Sequence, residues 1–184
     1  EKSQMSTNVQ SATAKDIAES RATSLTDFMN TNMQSVNVND YQGNPFQQDL
    51  NFRGFSASPL IGTPQGLSVY LDGVRINEPF GDVVNWDLIP SNAIRRMDML
   101  PGANPMFGLN TLGGALSIGT KSGFTDKGIE GRYLTGSWGR RQAQASVGGS
   151  RGPVAGFVAL NSLDETGWRT NSPSSIKQAY GKAS

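Results

Sequence analysis

Between Gln65 and Lys121 the sequence sets four short β signals, the last behind a pair of glycines, an order that leaves few folds open. Leu67 to Leu71 alternates apolar and small residues, Asp72-Gly73 forms a tight turn, and Val74 to Ile76 begins the return strand. A polar loop follows. Ile94, Met97 and Leu100 then carry the apolar side of a turn-and-strand unit. Gly108 and the pair Gly113-Gly114 are backbone-permissive positions ahead of the apolar run Ala115 to Ile118.

The residues before this stretch predict a lead-in and a second group of strands. Met5 to Ala14 is Ser/Thr/Asn-rich and reads as a short edge strand or lead-in. Thr13 to Met29 is the helix candidate, with Thr13 as cap, Asp16 three residues on, and Ile17, Leu25 and Phe28 near one face. Val36 and Val38 alternate as a short strand, and Leu50 to Gly54 is a strand ending at glycine. Tyr41 to Asp49, Ser56 to Gln65 and Asn77 to Asp87 are three long loops, the middle one read as irregular throughout. Loops longer than a connection requires tend to carry function.

Beyond Lys121 the character changes. Phe124 to Gly128 is a linker, and Gly128 to Trp138, Gln142 to Gly148 and Val154 to Leu163 are strand-like, with a fourth strand starting at Lys177. In the second, Ala143, Ala145 and Val147 share one face, and Gln142, Gln144 and Ser146 the other. The third is apolar on both faces. Alternating segments of about 10 residues separated by turns are the signature of membrane β-barrel strands. Gly148 to Pro153 reads as a tight turn, and Asp164 to Ser175 as a polar loop carrying Trp168.

Composition excludes several chemistries. With no histidine and no cysteine, the commonest general base, the commonest transition-metal ligands and the Ser-His and Cys-His dyads are all missing. No disulfide framework is available. No stretch approaches the ~18 apolar residues of a spanning helix. Net charge is -3 through Gly123 (8 Lys/Arg, 11 Asp/Glu) and +4 from Phe124 onward (8 against 4). The basic residues are scattered without interleaved aromatics, so no nucleic-acid surface is expected. The glycines between Gly108 and Gly114 lack dinucleotide spacing, and no P-loop motif occurs. Asp72, Glu78, Asp82 and Asp87 are loop carboxylates without calcium-loop spacing. Phe46, Phe80 and Trp86 suit either ligand stacking or loop anchoring.

The order Arg53-Gly54, Asp72-Gly73, Arg96, Gly102, Phe107-Gly108, Gly113-Gly114 and Thr120-Lys121 resembles the signature of the plug domain of TonB-dependent outer-membrane receptors. Departures are Arg95 for the family's first Glu, Pro101 for its second Arg, and Ala103 for its Pro. The resemblance implies an α+β plug domain, a small mixed sheet with short helices, over residues 1–123. The first antiparallel strands of a transmembrane β-barrel would occupy residues 124–184, with Trp138 in an aromatic girdle. It further implies an outer-membrane receptor whose plug, inside the barrel lumen and facing the periplasm, gates TonB-energised uptake of a scarce solute. That solute would be an iron chelate, cobalamin or an oligosaccharide. Partners would be TonB, the solute and outer-membrane lipid, with no cofactor, metal or enzymatic activity.

By match to the family's plug loops, Tyr41, Gln42, Leu60, Ile61, Phe80 and Asp82 are the ligand-contact candidates. Arg53 would lock the plug to glutamates on the barrel wall, more heavily here because Pro101 stands where the second Arg belongs. The segment that contacts TonB usually precedes the first plug strand, and Glu1 to Ser6 carries no convincing one. The N-terminus lacks a basic-then-apolar leader, as expected of a mature or trimmed chain. Plugged transporters close with about 22 strands, so the chain reads as an N-terminal fragment of a larger receptor. The rival classes are a soluble glycan- or peptide-binding module of the cell envelope and a hydrolase using loop carboxylates.

Overall fold

A computed structural model describes residues 8–103, 107–167 and 171–184. The expectations for Glu1 to Ser6 and for Trp168 lie outside these residues. By packing, the chain falls into two units. The first takes the chain up to Trp86 and resumes at Ile94–Thr120, and the second comprises Asp87–Ala93 and Lys121–Ser184.

The first unit opens with β1 (Gln10–Thr13), then α1 (Ala14–Ser20) and α2 (Leu25–Asn32). Thr13 caps α1 through a reciprocal box: the Asp16 carboxylate accepts the Thr13 N–H at 2.8 Å, and the Thr13 hydroxyl accepts the Asp16 N–H. The single helix expected over Thr13 to Met29 is instead two. Arg21 turns left-handed (φ 54°) and ends α1, and Ser24 caps α2 by accepting the Asp27 N–H. β2 (Val36–Asn39), β3 (Asp49–Phe52) and β4 (Phe55–Ala57) form an antiparallel three-stranded sheet. The start of the loop expected over Ser56 to Gln65 is therefore strand.

The larger sheet contains β1, β5 (Leu67–Leu71), β6 (Val74–Arg75), β7 (Ile94–Pro101) and β8 (Gly114–Thr120) in the order β1-β7-β8-β5-β6. Only β5 and β8 run parallel, so the sheet is mixed. Its core is Leu67, Val69, Ile94, Met97, Met99, Leu116 and Ile118, all within 1% of full burial, with Phe28, Met29, Leu50 and Phe52 buried as fully in α2 and β3. At one end of this sheet Asp72 (φ 49°) receives the Thr120 N–H at 2.8 Å and the Thr120 hydroxyl, which ties the β5–β6 turn to the end of β8.

The second unit is an antiparallel meander of β9 (Gly128–Thr135), β10 (Arg141–Arg151), β11 (Val154–Glu165) and β12 (Ser174–Ala183). β10 does not stop at Gly148 as expected but runs on to Arg151, leaving Gly152-Pro153 as the turn. The fourth strand begins at Ser174 rather than at Lys177. Ala143, Ala145, Val147, Val154, Val158 and Leu160 stand exposed on one face, together with Ile129 and Tyr133. The other face is polar along much of its length. There Gln142 donates to Asn161 at 3.0 Å, and Asn161 donates to Gln178 at 2.6 Å, an amide ladder across three strands. β11 is apolar on both faces because Phe157 and Ala159 are covered, together with Ala93, in a small buried cluster.

Candidate functional site: a loop cluster at one end of the mixed sheet

Topology gathers the loops. β5 and β8 start at the same end of the sheet, and β6 and β7 finish there. The connections 58–66, 76–85 and 102–113 therefore emerge together. Residues 104–106 of the last lie outside the described residues.

Buried Ser58 is the hub of this end. Its hydroxyl donates to the Asp49 carboxylate, which tethers the foot of the 40–48 loop, and accepts the Leu60 N–H at 3.0 Å. Its carbonyl accepts the Val84 N–H at 3.0 Å, and its own N–H donates to Gln65 Oε1 at 2.8 Å. Gln65 Nε2 also donates to Thr63 Oγ1 at 3.0 Å, so one amide braces the whole 58–65 loop. With its polar groups satisfied internally, such a loop holds a fixed shape without secondary structure.

Asp82 joins two further loops. Its carboxylate pairs with Arg75 at 2.9 Å and accepts from Asn110 Nδ2 at 2.6 Å, while Asn77 Nδ2 reaches its carbonyl at 3.3 Å. Asn77, buried, also accepts the Val69 N–H at 2.7 Å and donates to the Leu67 carbonyl at 3.0 Å. Thr111 holds the glycine-bounded loop from below: its hydroxyl is 2.6 Å from that of Ser68 and 3.1 Å from the Phe107 carbonyl. Tyr70 donates to the same carbonyl and packs on the Phe107 ring at 5.7 Å.

On this braced base the apolar tips stand out. Tyr41 (72% exposed), Ile61 (65%), Phe80 (74%), Leu109 (85%) and Leu112 (60%) are left uncovered by the described residues. Tyr41, Gln42, Ile61 and Phe80 are thus exposed loop residues, and Leu60 is half-buried. Ile61 lies beside Gly81, so the 58–66 and 76–85 loops touch. Asp82 is half-buried between Arg75 and Asn110. Phe46 and Trp86 are buried anchors, the Trp86 indole donating to the Ala57 carbonyl at 3.3 Å. Asp72 stands at the opposite end of the sheet from Glu78 and Asp82, so these carboxylates do not converge.

Sequence reasoning missed Leu109, Asn110 and Leu112. The signal was present as two leucines in a loop bounded by Gly108 and Gly113, where apolar residues have no strand to stabilise. Arg53 lies at the β3–β4 turn with φ 51°, exposed, its guanidinium carbon 5.3 Å from the Phe52 ring centroid. Among the described residues it forms no ion pair.

The profile of the TonB-dependent Receptor Plug Domain matches residues 1–115. The fold is shared with crystal structures of three receptors. The ferric yersiniabactin uptake receptor FyuA of Yersinia pestis is 17% identical over 96% of this chain and 28% of its own (TM-score 0.68). The siderophore receptor PirA of Pseudomonas aeruginosa is 18% identical over 98% and 32% (TM-score 0.64). The siderophore receptor PiuA of Acinetobacter baumannii is 21% identical over 86% and 21% (TM-score 0.64). The chain spans about a third or less of the length of each. A plug profile over more than half of the chain, on a mixed sheet with two short helices followed by antiparallel strands, has one reading: the chain belongs to the TonB-dependent receptor family, as its plug and the strands that follow.

Proposed function

We propose that the protein is an outer-membrane uptake receptor whose plug, residues 1–123, gates TonB-energised import of a scarce solute. Residues 124–184 are the first strands of its barrel, with Trp138 in an interfacial girdle. The observation that carries this is the braced loop cluster. Three loops are fixed by Ser58, Gln65, Asp82 and Thr111 and a fourth is anchored by buried Phe46, yet they present Tyr41, Ile61, Phe80, Leu109 and Leu112 to solvent. A pre-formed surface that exposes large apolar groups is what a ligand face needs, since binding then costs little ordering.

On this reading Tyr41, Gln42, Ile61 and Phe80 contact the solute beside Leu109 and Leu112, and Leu60 supports Ile61. Asp82 holds the loops in register. The relatives of like fold are named for siderophores, which supports an iron chelate as the cargo. The receptor converts nothing; it binds and releases.

Cell fractionation and growth test the reading together. The full-length receptor should sediment with the outer membrane, and a strain carrying it should grow on a ferric chelate as sole iron source only when TonB is present. Recovery in the soluble fraction, or growth on the chelate without TonB, would overturn it.

A further inference from the structure

Asp87–Ala93 is spliced between two parts of the first unit in sequence, yet it belongs by packing to the strand unit. Its attachment uses all three long strands. The Asn92 side-chain amide donates to the main-chain carbonyls of Leu160 (2.9 Å) and Ala145 (3.3 Å), which oppose one another on β11 and β10. Gln144 of β10 donates to the Ser91 hydroxyl at 3.3 Å. Gln178 of β12 donates to the Asp87 carbonyl. The Ala93 carbonyl accepts the Lys121 N–H at 2.8 Å, and the Ala93 methyl is buried with Phe157 and Ala159, with Tyr180 packed against them.

The flanking residues belong elsewhere. Trp86 is buried in the first unit with its indole on Ala57, and Ile94 opens β7 opposite Thr120. Allegiance therefore changes within single peptide links, at Trp86–Asp87 and at Ala93–Ile94.

The geometry points to a wall-held strap: Asp87–Ala93 stays with the barrel strands when the plug sheet opens or is displaced, and the chain yields at those two links and at Thr120–Lys121. A segment opens with the unit that holds its polar groups and its buried methyl, because leaving with the other would break the Asn92 bonds and uncover the Ala93–Phe157 contact. Plug displacement then proceeds around a fixed point on the wall instead of as a rigid body. The strap concerns how the plug moves, not what it admits, so its test needs no solute.

Native-state hydrogen exchange of the full-length receptor in detergent micelles, at sub-denaturing urea, separates the alternatives. Exchange of 87–93 should follow β10 and β11 and differ by about tenfold or more from β5, β7 and β8. Asn92→Asp keeps the size of the side chain and removes the donated amide. It should bring 87–93 to the rate of the plug strands while leaving β10 and β11 unchanged. Exchange of wild-type 87–93 together with β5, β7 and β8 would overturn the strap. So would a single opening step for all regions, or an Asn92→Asp variant in which nothing moves.

Discussion

Gly113 lies flat against Phe55, so close that a Cβ added there would fall well inside van der Waals contact with the stem and ring of the phenylalanine. Phe55 covers Gly66 in the same way, and so seals the start of β5 and the entry to β8 under one side chain. The clash involves Phe55 Cβ, which cannot swing away without its backbone. Gly113→Ala should therefore destabilise the plug by about 1–3 kcal/mol, the usual cost of overpacking. The urea midpoint of plug unfolding measures it, and an unchanged midpoint would show that β4 can shift to make room.

Asp72 does two things at its turn, and two substitutions separate them. Asp72→Asn tolerates the left-handed backbone but loses the charged acceptor for Thr120, an expected cost of about 1 kcal/mol. Asp72→Ala loses the acceptor and adds left-handed strain, for about 3 kcal/mol in total. Equal losses in denaturant titrations would mean that the carboxylate, and not the backbone, is the whole of the effect.

The cap of α1 should respond to acid. The Thr13 N–H, and after it the Thr13 hydroxyl, hold the Asp16 carboxyl below its ordinary value of 3.8. A carboxylate whose pKa is depressed by folding contributes stability above the unfolded value, and that contribution fades as pH falls through the folded one. Backbone amide shifts of Ala14 to Ile17 should therefore report fraying only below about pH 4. Asp16→Asn should flatten that response. A wild-type response centred near neutrality would point to another group.

Val158 distinguishes a lipid-facing sheet from an ordinary exposed one. In water a surface Val→Arg change falls within about 0.5 kcal/mol. On the lipid face of a barrel it costs about 2–4 kcal/mol near the midplane. The heat-modifiable gel mobility of the full-length receptor carrying Val158→Arg should show a reduced folded fraction. A folded fraction equal to wild type would place this face in water.

Arg53 requires a substitution that respects its backbone. Its φ of 51° makes Arg53→Ala a strained change whatever the side chain touches. Arg53→Asn accepts the left-handed turn, so what remains is the loss of the guanidinium. If that group meets a wall carboxylate in the closed receptor, the Asn variant should lose about 3–5 kcal/mol of plug retention in denaturant. Retention equal to wild type would leave Arg53 as a turn residue lying over Phe52.

Much of the fold was legible because its elements carry local signals. The Asp72-Gly73 hairpin and the apolar run into β8 are written in adjacent residues, and so is the alternation of β10. The helix break at Arg21 was not. Left-handed C-caps are commonly glycine, and an arginine in that role leaves the apolar spacing of Ile17, Leu25 and Phe28 looking continuous. The extent of β10 misled for the opposite reason. Gly148 reads as a turn residue, but it is a strand glycine because the Asp126 carbonyl lies where a side chain would stand. At the loop cluster, exposure of Tyr41 and Phe80 follows from aromatic residues in polar loops. The partnership of Asp82 with Asn110, 28 residues away, is set by the parallel pairing of β5 and β8 and has no local mark.

The amide ladder on the meander settles a question that hydropathy leaves open. Sliding one strand past its neighbour by two residues returns every outward side chain to the outside, so an alternating pattern alone is blind to that error. The ladder is not blind to it. Such a slip would set Asn161 opposite Ile176 or Tyr180 in place of Gln178, leaving a buried amide facing a hydrocarbon or a ring. Three uncharged side chains thus count residues for a sheet whose pattern can only tell odd from even.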